Sequence, residues 1–206
     1  MRTTKQTIRT WIIAALAACL PALAPAATVS LVQVSPAGGE TVVGLGSELE
    51  VAVVVSGLGD GAAPSLAAWD LTLLFDTSYL AYQSAEIGDG IGGSELDIAG
   101  AGTVELITAG SGSLNLVELA LEADPLLFNT QPDAFQIASV VFSVDGFGSS
   151  EIGFGTVVLG DPLAVEISAD LNPLSVTTAP VPIPAAAWLF ISGLGLLGFV
   201  RRKRRF

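Results

Sequence analysis

The chain contains no histidine, and its single cysteine, Cys19, falls in the first twenty residues. It also has no lysine or arginine between residues 10 and 200. The eight bases sit at the two ends: Arg2, Lys5 and Arg9, then Arg201, Arg202, Lys203, Arg204 and Arg205. Each absence excludes chemistry. Without His, Lys, Arg or Cys the central region cannot run Ser–His–Asp or Cys–His catalysis. It cannot build a His- or Cys-ligated zinc or copper site, nor a phosphate cradle backed by lysine. It has no cysteine pair to form a disulfide, so roughly 150 residues must hold together through a hydrophobic core.

Acid is what the middle does have. All twenty Asp and Glu residues fall between Glu40 and Asp170. No side-chain ion pair can form inside that region, so its fold must rest on apolar burial and backbone hydrogen bonds. Unrelieved repulsion keeps it soluble and weakens it at low salt. The same charge disfavours nucleic acids and anionic membrane surfaces as partners of this region. A divalent cation or a basic partner is the natural complement.

The ends read as addresses. Residues 1–10 are polar with three bases, 11–20 are apolar, and 21–27 are rich in Ala and Pro. That is the order of a secretory signal peptide, and the small residues Ala24 and Ala26 place cleavage after Ala26. A rival reading takes Leu16, Ala17, Ala18 and Cys19 as a lipobox, with Cys19 as a lipidated N-terminus. At the other end, Val181, Pro182, Ile183 and Pro184 form a lead-in that cannot run as helix. Ala185 opens an uncharged, mostly apolar run over 185–200, closed by the basic cluster 201–205. As a helix this run spans about 24 Å at ~1.5 Å per residue, a little short of a bilayer core. The bases favour the cytoplasmic side, which leaves the rest of the chain facing outward.

This tail resembles the PEP-CTERM class of bacterial sorting signals, in the variant that reads VPLPAAAWLF-x-SGL. Ile183 stands where the variant has Leu; Pro182, Pro184, Ala185, Trp188, Phe190 and Ser192 match. The resemblance implies recognition of the tail by an exosortase, a membrane transpeptidase-like enzyme, after a signal peptidase has acted at the leader. It further implies display on the surface or in the extracellular matrix of a Gram-negative bacterium, with the membrane engaged by the C-terminal helix before processing. The expected plan is a signal peptide at 1–26, a domain at 27–178 and a sorting signal at 179–206, with 177–180 as a short linker.

The domain reads as all-β. Leu49, Val51, Val53 and Val55 fall on one face of a strand. Trp69, Leu71, Leu73 and Phe75 do the same, as do Val140, Phe142 and Val144, and then Val165 and Ile167. A period of two marks half-buried strands. Weaker patterns predict strands at 29–34, 79–87, 104–108, 114–121, 150–154 and 156–159, and Asp124-Pro125 predicts a helical turn over 124–129. Nine or ten strands in this length favour a two-sheet sandwich or jelly roll.

The order of an opening strand, Gly46 to Val55, a Gly-rich loop, and Ala68 to Leu80 is similar to the first half of cohesin-type domains. Phe135 to Phe142 and Val158 to Asp161 fit the second half. The resemblance implies a jelly-roll sandwich and a dockerin-like protein or a polysaccharide as ligand. No dockerin-contact residue carries over.

Carboxylates are the only catalytic or metal-binding groups left. A glycosidase needs two of them held at a set separation in a cleft. A calcium site needs several oxygens, and Asp89, Glu95 and Asp97 on one Gly-rich loop are the candidate ligands. No other cofactor is expected. Trp69 and Phe75 read as core, which leaves Tyr82 as the candidate surface contact. The expectation is an exported, non-enzymatic structural or adhesive protein. The alternative is a cohesin-type binding module, and a carboxylate glycosidase ranks third.

Overall fold

The computed structural model describes residues 26–36, 42–90, 93–122 and 124–178. The leader, the sorting motif, the 185–200 run and the basic cluster lie outside them. Among the described residues no helix is long and apolar enough to cross a membrane.

The described residues form eleven strands and one short helix, in this order: β1 (Ala27–Ser35), β2 (Val42–Val43), β3 (Glu48–Ser56), β4 (Ala68–Leu74), β5 (Leu80–Ile87), β6 (Thr103–Gly110), β7 (Ser113–Ala120), α1 (Asp124–Thr130), β8 (Phe135–Val144), β9 (Gly148–Gly160), β10 (Ala169–Asn172) and β11 (Leu174–Thr178). They form two sheets, ordered β10-β1-β3-β8-β5 and β2-β11-β9-β4-β7-β6. The all-β, two-sheet expectation is met.

The alternations seen in the sequence make the core. Leu49, Val51, Val53 and Val55 from one sheet and Trp69, Leu71 and Leu73 from the other are buried together with Leu114, Leu116, Val140, Phe142 and Val144. Phe75 and Phe142 meet edge to face with ring centroids 5.0 Å apart, joining the sheets. Full burial of such side chains contributes roughly 1.5–3 kcal/mol each, and no ion pair within the domain is available to add to it. Helix α1 forms where Asp124-Pro125 predicts it, and buries Leu127. Just beyond it, buried Gln131 accepts a hydrogen bond from the Leu66 N–H (2.5 Å) and donates to the carbonyls of Leu66 (2.9 Å) and Glu95 (3.2 Å). One amide thus ties three loops together.

Three expectations need correction. The alternation at Val165 and Ile167 is not a strand. The Asp161 carboxylate accepts the N–H groups of Leu163 (2.9 Å) and Val165 (2.7 Å). This holds a turn with Ala164 at φ 61°, and the chain then makes a single isolated bridge, Glu166 opposite Gly160, in which the Asp161 N–H donates to the Val165 carbonyl (2.9 Å) and the Ile167 N–H to the Leu159 carbonyl (2.8 Å). The strand begins later, at Ala169. The two short strands expected at 150–154 and 156–159 are one strand, β9. The glycine that looked like a break, Gly155, permits close packing instead: a Cβ there would sit 3.3 Å from Thr72 Cγ2. The pairing of β9 with β4 shifts register there, between Leu71 and Leu73. Finally, Thr177 and Thr178 are not linker. They pair with Val42 and Val43 on one side and with Ser149 and Gly148 on the other.

Candidate binding face

Strands β9, β4, β7 and β6 lie side by side, and their outward residues follow from the register. Val104 of β6 stands opposite Leu119 of β7, and Leu106 opposite Val117. On the next strand Ala68 pairs with Leu119 and Asp70 with Val117. Beyond it, Val158 of β9 pairs with Asp70, and Gly160 with Ala68. The outer face of one end of this sheet is therefore aliphatic. Leu106 is 56 % exposed and Val104 55 %; Leu119 and Val158 are each 46 % exposed. The pinned turn after β9 raises Leu163 and Val165 at the rim, both exposed. Between turn and sheet lies a hollow of about 400 Å³ whose lining includes Ala68, Leu119, Val158, Pro162 and Val165, with Glu122 and Glu166 at its edge. Contiguous exposed apolar surface of this kind marks an interaction site.

A fixed polar group borders the patch. The Asn115 side-chain amide donates to Asp70 Oδ1 (2.6 Å) and to Thr72 Oγ1 (3.2 Å), across β7 and β4. This holds Asp70 in place at the middle of the face and leaves the Asn115 carbonyl oxygen as a preset acceptor.

Beneath the patch lies a buried acid. Glu118 is 0 % exposed and points inward beside Trp69, its cross-strand partner. Its Oε2 accepts the Trp69 indole N–H at 3.0 Å, and its Oε1 has no hydrogen bond of normal length. Burial raises its pKa above the ordinary 4.5. The Ser94 hydroxyl and the Trp69 indole oppose the rise, Glu105 adds to it, and the Thr103 hydroxyl opposes it. Without accessible surface this carboxyl cannot reach a substrate. A second cleft with two acids lies at the other end of β4, about 540 Å³, lined by Leu74, Phe75, Asp76, Glu151, Phe154 and Leu171 among others. Asp76 and Glu151 are exposed there, and Asp76 Oδ1 accepts the Ser78 N–H at 2.8 Å as an ordinary turn cap.

The candidate calcium ligands do not converge. Among the described residues no three carboxylates are grouped to hold a metal ion. Asp97 Oδ1 accepts the Gly102 N–H at 2.7 Å, which closes its own loop. The Glu95 carbonyl is taken by Gln131. Tyr82 is half-buried and packs on the core rather than standing clear of it. Sequence reasoning missed Gln131 and Glu118. Glu118 was detectable as an acid at an inward position of the Leu114, Leu116 alternation.

The sheet order and the packing define an all-β sandwich resembling cohesin modules. Among solved structures, it is similar to the sixth cohesin of scaffoldin B from Acetivibrio cellulolyticus, solved in complex with a Cel5 dockerin mutant (TM-score 0.54, 18 % identity, 75 % of this chain and 99 % of that one). It is similar to a type II cohesin domain from the cellulosome of the same organism (0.58, 16 %, 74 % and 95 %). A non-cellulosomal cohesin from the archaeon Archaeoglobus fulgidus matches as well (0.54, 11 %, 75 % and 91 %). At these identities the likeness establishes the fold. No family model matches the chain, and no curated protein sequence matches it either.

Proposed function

We infer that the sandwich is a non-catalytic module that binds a protein partner through the outer face of β9, β4, β7 and β6. The observation that carries this reading is the exposed aliphatic patch of Val104, Leu106, Leu119 and Val158, set beside the fixed Asp70–Asn115 pair. Apolar anchors with a polar register point are the anatomy of a protein interface. A polysaccharide platform stacks sugars on aromatic rings, and this patch is aliphatic. The fold likeness to cohesins, one of them solved with a dockerin, supports a dockerin-like partner. Titration calorimetry of the full chain against a panel of dockerin modules, with and without calcium, tests the reading. A dockerin that binds wild type and equally binds the Leu106→Glu, Val158→Glu double variant would move binding off this face.

The same reading places the module on an exported chain. The signal peptide at 1–26 delivers it. The sorting motif from Val181 to Ala185, the apolar run 185–200 and the bases 201–205 hand it to an exosortase for surface or matrix display. This part rests on the sequence resemblance. Mass spectrometry of both mature termini, with and without deletion of 201–205, tests it. Unchanged size and location after the deletion would remove the sorting role.

A further inference from the structure

The two sheets have four margins, and three are protected. β2 has two residues. β10 has four and is stopped by Pro173. β5 has eight, but its pairing shifts register between Tyr82 and Ser84. β6 is different. All eight of its residues pair with β7 in unbroken register, and no described strand covers its other edge. Its sequence, TVELITAG, contains no proline and no lysine, and a single charge. Edge strands of this length are normally blunted by charge, bulge or proline, because an open row of N–H and C=O groups invites another strand.

The direction of the open groups follows from one bond. The Leu121 N–H donates to the Gly102 carbonyl at 3.1 Å, in the same register as the rest of the pair. Alternation then turns the backbone of Val104, Leu106 and Thr108 toward β7, and that of Thr103, Glu105, Ile107 and Ala109 toward the free edge. Ile107, on the inward side of β6, is still 37 % exposed, so the opposite sheet covers that side only in part. An apolar strand left bare on both faces and along one edge is a strand awaiting a neighbour.

Charge selects the neighbour. Glu105 is exposed in the middle of β6, with Asp97 and Glu122 near its start, and the described residues include no base. A second copy would set one acidic domain against another. We propose that the free edge of β6 takes up an extended peptide segment of a partner, carrying Lys or Arg opposite Glu105, as a seventh strand of the sheet. Backbone pairing supplies the attachment, and the base supplies the register. This is a different surface from the aliphatic face: it uses main-chain groups at the margin, and the two can fail separately.

The probe is a synthetic octapeptide alternating Val or Thr with Lys, compared with its Glu counterpart and with a version N-methylated at alternate amides. Hydrogen exchange is followed on the full chain in mild detergent. The Lys peptide should slow exchange at Glu105, Ile107 and Ala109 by about tenfold or more. The Glu and N-methylated peptides should not. Glu105→Gln should weaken uptake about 2- to 5-fold, the worth of one cross-strand charge pair. Ile107→Pro should abolish uptake, while Val158→Glu on the face should leave it intact. Equal protection by the Glu peptide, or none by any peptide on a folded chain, would overturn the proposal. So would protection that rises with chain concentration in the absence of peptide, since that would assign the edge to a second copy.

Discussion

The two sheets share one core, but their outer faces differ in how much aliphatic surface they gather at one end. Outward positions of the five-stranded sheet carry Thr28, Ser30, Glu48, Glu50, Ser139 and Ser143 among a few valines, knitted by short bonds such as Ser139 Oγ to Glu50 Oε1 (3.0 Å). Outward positions of the six-stranded sheet carry Val104, Leu106, Val117, Leu119 and Val158. Folding does not require this difference, because both sheets already bury their inner faces. Solubility opposes it. A surface kept apolar against that pressure is one that something covers.

Four experiments would break or sharpen the contrast. The largest effect should come from the part the sheets share. Phe142→Ala removes the ring that meets Phe75 and should cost about 3–5 kcal/mol. Denaturant unfolding should show one transition for both sheets; two separate transitions would mean that they are not one cooperative unit.

Next are the faces themselves. Leu106→Glu with Val158→Glu should cost about 2 kcal/mol or more of partner binding and cut binding of the neutral dye Nile red, with little change in melting temperature. Ser139→Ala on the other sheet should change neither. Equal losses from both would erase the distinction.

The third concerns the acid under the apolar face. The folded-state pKa of Glu118 is raised, so the native state holds its proton more tightly than the unfolded chain does. Its stabilising contribution is complete below about pH 4.5 and is lost as pH rises through the higher folded value. Above that value, Glu118→Gln should stabilise the sandwich by about 1–2 kcal/mol, because it removes a buried charge with an unpaired oxygen. At pH 4 the gain should vanish. Melting temperatures of the two proteins that run parallel from pH 4 to 8 would contradict this account.

The smallest effect is general. Raising salt from about 10 to 500 mM should stabilise the domain by less than about 1 kcal/mol, through screening of its carboxylates. A flat melting temperature would show that the acids lie too far apart to repel.

Much of the core was legible because its strands are long and strictly alternating: Leu49 to Val55 and Trp69 to Phe75 could hardly be read otherwise. What failed was local. Val165 and Ile167 alternate as a strand does, but the Asp161 carboxylate four residues before Val165 takes its N–H and holds the chain in a turn, so that Ile167 meets β9 only through a single bond to the Leu159 carbonyl. Gly155 read as a break, although it is where β9 packs closely on β4. β2 and β11 are too short or too polar to announce themselves. The binding face was illegible for a different reason. Val104, Leu119 and Val158 are unremarkable within their own strands. Only lateral order makes them neighbours, and lateral order is set by contacts distant in sequence.

That order also fixes reach. Thr178, the last described residue, lies on β11, and β6 lies four strands further across the same sheet. At about 4.8 Å per strand this is roughly 19 Å. A chain held by whatever follows Thr178 is held one strand in from the β2 margin, and its open strand is carried at the far margin. A tether and an incoming segment would not compete for the same space. Such a module needs no release to be occupied, and its connectivity, rather than any flexible linker, supplies the clearance.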